Sequence, residues 1–266
     1  MRMRERVLRG DYLIGTHIST GDFITADILA RCGYDFIWID TEHSCMDYRT
    51  LLSCISVIRA RGVPVIVRAQ TGNHAHTKRI LEMGVDGIIF PNIGSEQEAR
   101  AAIASCLYPP DGVRGFGPLG AADYGLRDTS GYIRESGEEL AIFLQIESAE
   151  AVDILPQLCA LPHADGFILG PCDLSGSLGR LGEITSDVNM REVRRMMAVL
   201  REKKKYAGIS IGSTEAEDQD FWLREGFRLI SSGTDYDYLC RGAAANARQL
   251  RARIAAGHDG QGGRGI

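Results

Sequence analysis

The constraint that most limits how this chain can fold is a recurrence: eight short apolar runs, most of them separated by stretches with helical spacing. The runs fall at about 12–18, 35–41, 64–69, 87–91, 141–147, 165–170, 206–211 and 228–233. They are strand-like in length, often β-branched, and apolar throughout rather than alternating. A strand that is apolar on both faces has to be covered on both faces, which indicates a parallel sheet with helices laid over it. Amphipathic stretches at Tyr48–Arg61, Glu96–Ser105 and Val188–Lys203 supply such helices. Eight strands close a (β/α)8 TIM barrel, and 266 residues suit one such domain. Residues 1–256 therefore read as a single barrel domain, and GHDGQGGRGI at 257–266 reads as a disordered tail.

Composition narrows the function. The 44% hydrophobic content supports a sizeable core, and a net charge of -5 argues against a nucleic-acid surface. The start, MRMRERVLRG, is basic but lacks the apolar segment of a secretory signal. No apolar run approaches the roughly 18–20 residues that span a bilayer. Seven cysteines without a CxxC pair read as packed, reduced thiols in a cytoplasmic protein.

Three strand ends carry polar motifs: IDTEH at 39–43, LQIES at 144–148 and GPCDLS at 170–175. In parallel-strand folds the C-terminal strand ends form the working face, so acids and bases gathered there read as chemistry. Glu147 and Asp173, on adjacent strands, can hold a hard divalent cation while leaving positions for water and substrate. The competing reading is an ion pair or a helix cap at Asp173. His43 follows Asp40 and Glu42, whose carboxylates can orient it as a base. Arg68 closes PVIVR and offers a planar fork to a carboxylate or keto oxygen, or else a salt bridge. His17 ends the first strand and is expected to overlook the same mouth. His74 and His76 read as solvated. The long Gly- and Pro-rich stretch at 108–125 reads as a functional loop.

The lysines are informative by position. There are four, Lys78 and the run Lys203, Lys204 and Lys205, and none ends a strand. A Schiff-base aldolase needs a desolvated lysine at the working face, so carbanion chemistry here would lean on a metal and on arginine. There is no P-loop motif either.

Taken in order, IDTEH, VIVRAQ, LEMGVDGIIFPNI, YPPDGVRGFGP, LQIES and DGFILGPCDLSGSLG resemble the HpcH/HpaI family of metal-dependent class II pyruvate aldolases. The resemblance covers roughly residues 10–250. It implies a phosphoenolpyruvate/pyruvate-type (β/α)8 barrel whose last helix is exchanged between subunits of a homo-oligomer, a hexamer or trimer. It also implies Mg²⁺, Mn²⁺ or Co²⁺ as cofactor, and reversible cleavage of a 4-hydroxy-2-oxo acid to pyruvate and an aldehyde. Carried over by motif, Glu147 and Asp173 would be metal ligands. Arg68 and Gln145 would contact the pyruvate part and the backbone at Cys172 its carboxylate, with His43 as base.

Three departures bear on substrate. LEMG stands where the family shows LDxG, so Glu82 is expected to take the aspartate's place as partner of His43. After RGFGP no arginine occurs until Arg127, which points to a shorter or uncharged aldehyde. His17 replaces a common tryptophan. Two rival readings stay open: a citrate-synthase-like or oxaloacetate-decarboxylating relative, and a non-catalytic 2-oxo acid binding protein.

Overall fold

Alternation of side chains along each strand decides what the barrel contains. In β2 (Phe36–Asp40), Ile37 and Ile39 face outward under the helices while Phe36 and Trp38 face the interior. In β3 (Val65–Arg68), Val65 and Val67 point out and Ile66 in; in β5 (Ala141–Ile146), Ile142 and Leu144 point out and Phe143 in. The computed structural model describes residues 1–259, and in it all eight strands pair in parallel and close in sequence order. The other staves are β1 (Leu13–Ile18), β4 (Gly87–Phe90), β6 (Gly166–Leu169), β7 (Tyr206–Ile211) and β8 (Leu229–Thr234). The expected helices appear as Tyr48–Arg59, Glu96–Cys106 and Asp187–Glu202.

The interior is packed, as a barrel of this strand number requires. Leu13, Phe36, Trp38, Ile66, Ile89, Phe143, Ile168 and Leu229 fill it, and Met3 and Val7 of the helix Met3–Arg9 plug its N-terminal end. That plug accounts for the basic start of the chain. Arg4 Nε lies 3.0 Å from Asp165 Oδ1 and Arg6 Nη1 lies 2.8 Å from Asp35 Oδ1, pinning the helix to the rim.

Continuing the inward alternation one step beyond the apolar layer reaches Asp40, Arg68 and Gln145. The strand register places Asp40 directly beside Arg68. A floor of aromatic rings thus supports a polar layer at the C-terminal end.

The stretch 108–125 connects Glu96–Cys106 to the helix Thr129–Glu139 and packs against Glu82, Met83 and Arg59. The expected tail does not start at 257, because the last helix runs Asp235–Asp259; residues 260–266 lie outside the described residues. Among the described residues no helix is long and apolar enough to cross a membrane.

The packing gives one direct test. A Cβ at Gly15 would lie 2.3 Å from the Phe36 ring, within the filled barrel. Gly15→Ala should lower unfolding stability by about 1–3 kcal/mol through overpacking, measured as a lower urea midpoint. An unchanged midpoint would contradict the account of the interior.

Candidate active site

The site is assembled on Asp40. Its carboxylate accepts two hydrogen bonds from Arg68, from Nε at 3.0 Å and Nη2 at 2.6 Å, so the guanidinium is held side-on by a bidentate pair. The same carboxylate accepts the backbone N–H groups of Glu42 at 3.0 Å and His43 at 3.4 Å. One side chain therefore fixes both the arginine and the turn that presents Glu42 and His43. Burial pushes Asp40 toward protonation, but the hydrogen bonds and charge of Arg68 outweigh it and hold the carboxyl below the usual carboxylate range.

Arg68 then faces outward onto more acid. Its Nη1 stands 3.0 Å from Glu42 Oε2, a charge contact rather than an aligned hydrogen bond. Its guanidinium carbon lies 5.8 Å from the centre of the Trp38 ring. Glu147, just past β5, accepts hydrogen bonds from the backbone N–H of Asn92 and from Gln145 Nε2. Asn92 also reaches Glu42 Oε1 through Nδ2 at 2.9 Å, tying the β2 and β5 ends together. It does so from a left-handed backbone, φ 56°, which Asn tolerates better than most residues. Burial raises both Glu42 and Glu147 above the usual carboxylate range; Glu147 and Asp40 add to it at Glu42 against the pull of Arg68, and Asp173 adds to it at Glu147 against the hydrogen bonds of Asn92 and Gln145.

These groups border a cavity of about 800 Å³ at the C-terminal end of the barrel. Trp38, His43, Arg68, Gln145, Cys172 and Asp173 line it together with Ile184, Ile211, Phe221 and Trp222 and the carboxylates Glu217 and Asp218. Gly170 belongs to the lining and leaves room for its neighbour: a Cβ there would lie 2.7 Å from Glu147 Oε2. His43 is open, with 67% of its side chain exposed and Nε2 3.7 Å from Glu42 Oε2.

Would these residues suit a divalent cation? Among the described residues, no group of three or more His, Cys, Asp and Glu side chains is gathered as a metal cage. Glu147 and Asp173 are two carboxylates close enough for Asp173 to raise Glu147, and Gln145 Oε1 is buried with no hydrogen-bond partner. Hard oxygen donors, crowded negative charge and an unsatisfied acceptor are what a Mg²⁺-type ion relieves, with water and substrate completing its shell. The donor set fits.

The structure brings Asp40, His43, Arg68, Gln145, Glu147, Cys172 and Asp173 together. It does not bring in His17 or Glu82. His17 is buried one layer below the mouth, its ring 4.5 Å from that of Trp38, with Nδ1 2.8 Å from Ser231 Oγ and Nε2 3.3 Å from Ser210 Oγ. It buttresses Trp38 and does not line the cavity. Glu82 ends the helix His74–Glu82, which runs from the mouth side to the far end of the barrel, a descent of about 12–14 Å at 1.5 Å per residue. Its carboxylate faces Gly117 there, so within one chain it does not meet His43. Sequence reasoning missed Asn92, and left Glu42 as a flank of His43 rather than a member of the site. The PN dipeptide after β4 was the available signal.

Fold and site define a (β/α)8-barrel enzyme built to hold a small, oxygen-rich substrate at the carboxyl ends of its strands. The profile of the HpcH/HpaI aldolase/citrate lyase family matches residues 14–241, and the chain belongs to that family. It is 32% identical over 94% of its length, and 97% of the relative's, to a hydroxypyruvate/pyruvate aldolase of Paraburkholderia phytofirmans. It is 28% identical over 91% of its length, and 92% of the relative's, to a 4-hydroxy-2-oxo-heptane-1,7-dioate aldolase of Escherichia coli. A crystal structure of a family protein from Burkholderia cenocepacia superposes with TM-score 0.87 at 31% identity, covering 94% of this chain and 98% of that one. Family and relatives together make this chain a lyase of the aldolase class.

Burial pushes the His17 ring down to about 3 from its ordinary 6.5. The unfolded chain takes up that proton below about 6.5, while the folded chain stays neutral to about 3, so His17 removes stability as pH falls through this window. Between pH 6 and 4 the wild type should lose about 1.4 kcal/mol per pH unit more than His17→Asn. Urea titrations with equal slopes for both proteins would contradict the buried neutral ring.

Proposed function

We propose that this chain catalyses the reversible aldol cleavage of a 4-hydroxy-2-oxo acid to pyruvate and an aldehyde, with a divalent cation. The observation that carries the reading is Arg68, a guanidinium locked by Asp40 and set among Glu42, Glu147 and Asp173 at the mouth. Glu147 and Asp173 would hold Mg²⁺, Mn²⁺ or Co²⁺, and when bound the ion would supply Lewis-acid polarisation of the 2-oxo group.

The chain's own groups account for the remaining steps. Arg68 meets the keto oxygen of the substrate, where negative charge develops as the C3–C4 bond breaks and the pyruvate enolate forms. Because Asp40 fixes the guanidinium beforehand, little reorganisation is needed at that moment. Gln145 lines the cavity on the side assigned to the pyruvate part, and the backbone N–H of Cys172 is assigned to its carboxylate. His43 removes the proton of the C4 hydroxyl, its exposed position lets that proton exchange with solvent, and C3 of the enolate takes up a proton from solvent to complete pyruvate. Asp40 acts through both: it is a positioning residue. Glu42 stands beside His43 in the place expected of Glu82.

Ile184, Ile211, Phe221 and Trp222 of the lining offer the aldehyde apolar surface, and Glu217 and Asp218 beside them would repel a second carboxylate. Arg127 is committed elsewhere, to Glu135 and Glu139. Both support a short or uncharged aldehyde. A homo-oligomer, trimer or hexamer with exchanged C-terminal helices, is supported by the last helix. Its first turn is anchored, Tyr238 Oη lying 2.8 Å from Thr16 Oγ1, yet Leu239 and Leu250 beyond are exposed. Phe23, Ile24 and Ile28 on the barrel's flank are also uncovered.

The experiment is pyruvate release from a 4-hydroxy-2-oxo acid with Mn²⁺, then with excess EDTA. Activity should vanish with EDTA and return with metal. Arg68→Ala should lower kcat about 10²–10³-fold with an unchanged circular dichroism spectrum, and Arg68→Lys should not restore it, lacking the bidentate fork. Near-normal turnover in Arg68→Ala would overturn the reading, and oxaloacetate consumption without aldol cleavage would favour decarboxylation.

A further inference from the structure

At the opposite end of the barrel two features of the sequence that the catalytic site does not use come together. The end of the basic N-terminal segment and the lysine run before β7 border one concave pocket of about 450 Å³. Five charged side chains line it, Arg9, Arg201, Lys204, Lys205 and Arg228, and all five are cations. The chain as a whole has 35 acidic against 30 basic residues, so this is a local reversal of its charge.

Arg9 is paired with Asp11 through two hydrogen bonds, and among the described residues no carboxylate pairs with the other four. Lys205 Nζ donates to the neutral carbonyl of Ala164 at 2.8 Å. Arg228 donates to the Gly10 carbonyl and lies 5.5 Å from the centre of the Tyr12 ring.

A second observation concerns Lys204 alone. The helix Asp187–Glu202 is capped by Lys203, which puts Lys204 in the next position with φ 54°. That left-handed position is where helices ordinarily end on glycine, because a Cβ there is strained. A lysine kept at a position that favours glycine directs attention to its side chain, and an observed outlier of this kind licenses a functional hypothesis.

We propose that this pocket is a second binding site, for a small polyphosphate anion. Guanidinium and ammonium groups lining one concavity suit an anion with several tetrahedrally disposed oxygens. A monocarboxylate would leave most of these cations unmatched, and a cavity of this size encloses a small molecule rather than a nucleic-acid backbone. The bound anion would join the plug helix Met3–Arg9, the end of Asp187–Glu202 and the start of β8, so occupancy should stabilise the fold.

The test uses the full chain with EDTA present and inorganic pyrophosphate as probe, read by calorimetry and thermal unfolding. Sodium sulfate at matched ionic strength is the control. Saturable binding with a Kd below 1 mM, and a Tm rise that sulfate does not reproduce, are expected. Lys204→Gly relieves the strain, so without ligand it should melt about 2–4 °C higher than wild type, while its Kd for pyrophosphate weakens at least tenfold. Arg201→Gln should weaken binding similarly. Equal effects of sulfate and pyrophosphate, unchanged affinity in Lys204→Gly, or a lower Tm for that variant would each overturn the proposal.

Discussion

The structure of the mouth depends on one buried pair, Asp40 and Arg68. The parallel register sets the two residues side by side on inward-facing positions of β2 and β3, and the carboxylate then closes on the guanidinium with two hydrogen bonds. Neither charge is cheap to bury alone. Removing one partner from such a pair typically costs about 3–5 kcal/mol because the other is left uncompensated. The pair also carries information beyond stability. Asp40 holds the turn bearing Glu42 and His43, and Arg68 lies over Trp38, so the positions of base and cation are set together.

Around that pair the charges do not balance. Asp40, Glu42 and Glu147 act on a single guanidinium, Asp173 adds its charge beside Glu147, and burial together with mutual repulsion raises Glu42 and Glu147. A site left in this condition is poised for a positive guest. The same imbalance explains why Asn92 and Gln145 direct their donors to Glu147 and Glu42: these N–H groups make the buried acid tolerable. A 2-oxo acid is suited to such a place, since its enolate needs positive charge on one oxygen while a nearby acceptor takes a proton.

The barrel was legible because its strands are apolar on both faces, a pattern that a parallel sheet under helices requires and a half-solvated sheet does not. Asp40, Arg68 and Glu147 were legible because they interrupt those strands at one end. Height within the barrel was not. His17 lies on an inward-facing strand position, but register pairs it with Trp38, one layer below Asp40 and Arg68. No periodicity along β1 alone reveals that offset. Glu82 falls at the unexpected end for a related reason: its motif says which residue, while the direction of the helix says which end. Asn92 and Glu42 act from loops, where a backbone φ of 56° and a cross-strand hydrogen bond leave almost no trace in sequence. The lysine run lies on the far face, as its place before β7 indicates, and its meeting with Arg9 and Arg228 emerges only with the fold.

The central claim is that Arg68, among these carboxylates, stabilises an enolate of a 2-oxo acid with a divalent ion beside it. Deuterium exchange into the methyl group of pyruvate, followed by NMR, tests it without knowledge of the aldehyde. Exchange that requires Mn²⁺ or Mg²⁺, stops with EDTA and is lost in Glu147→Ala is the predicted result. No exchange with any divalent metal, or exchange unaffected by Glu147→Ala, would contradict the account.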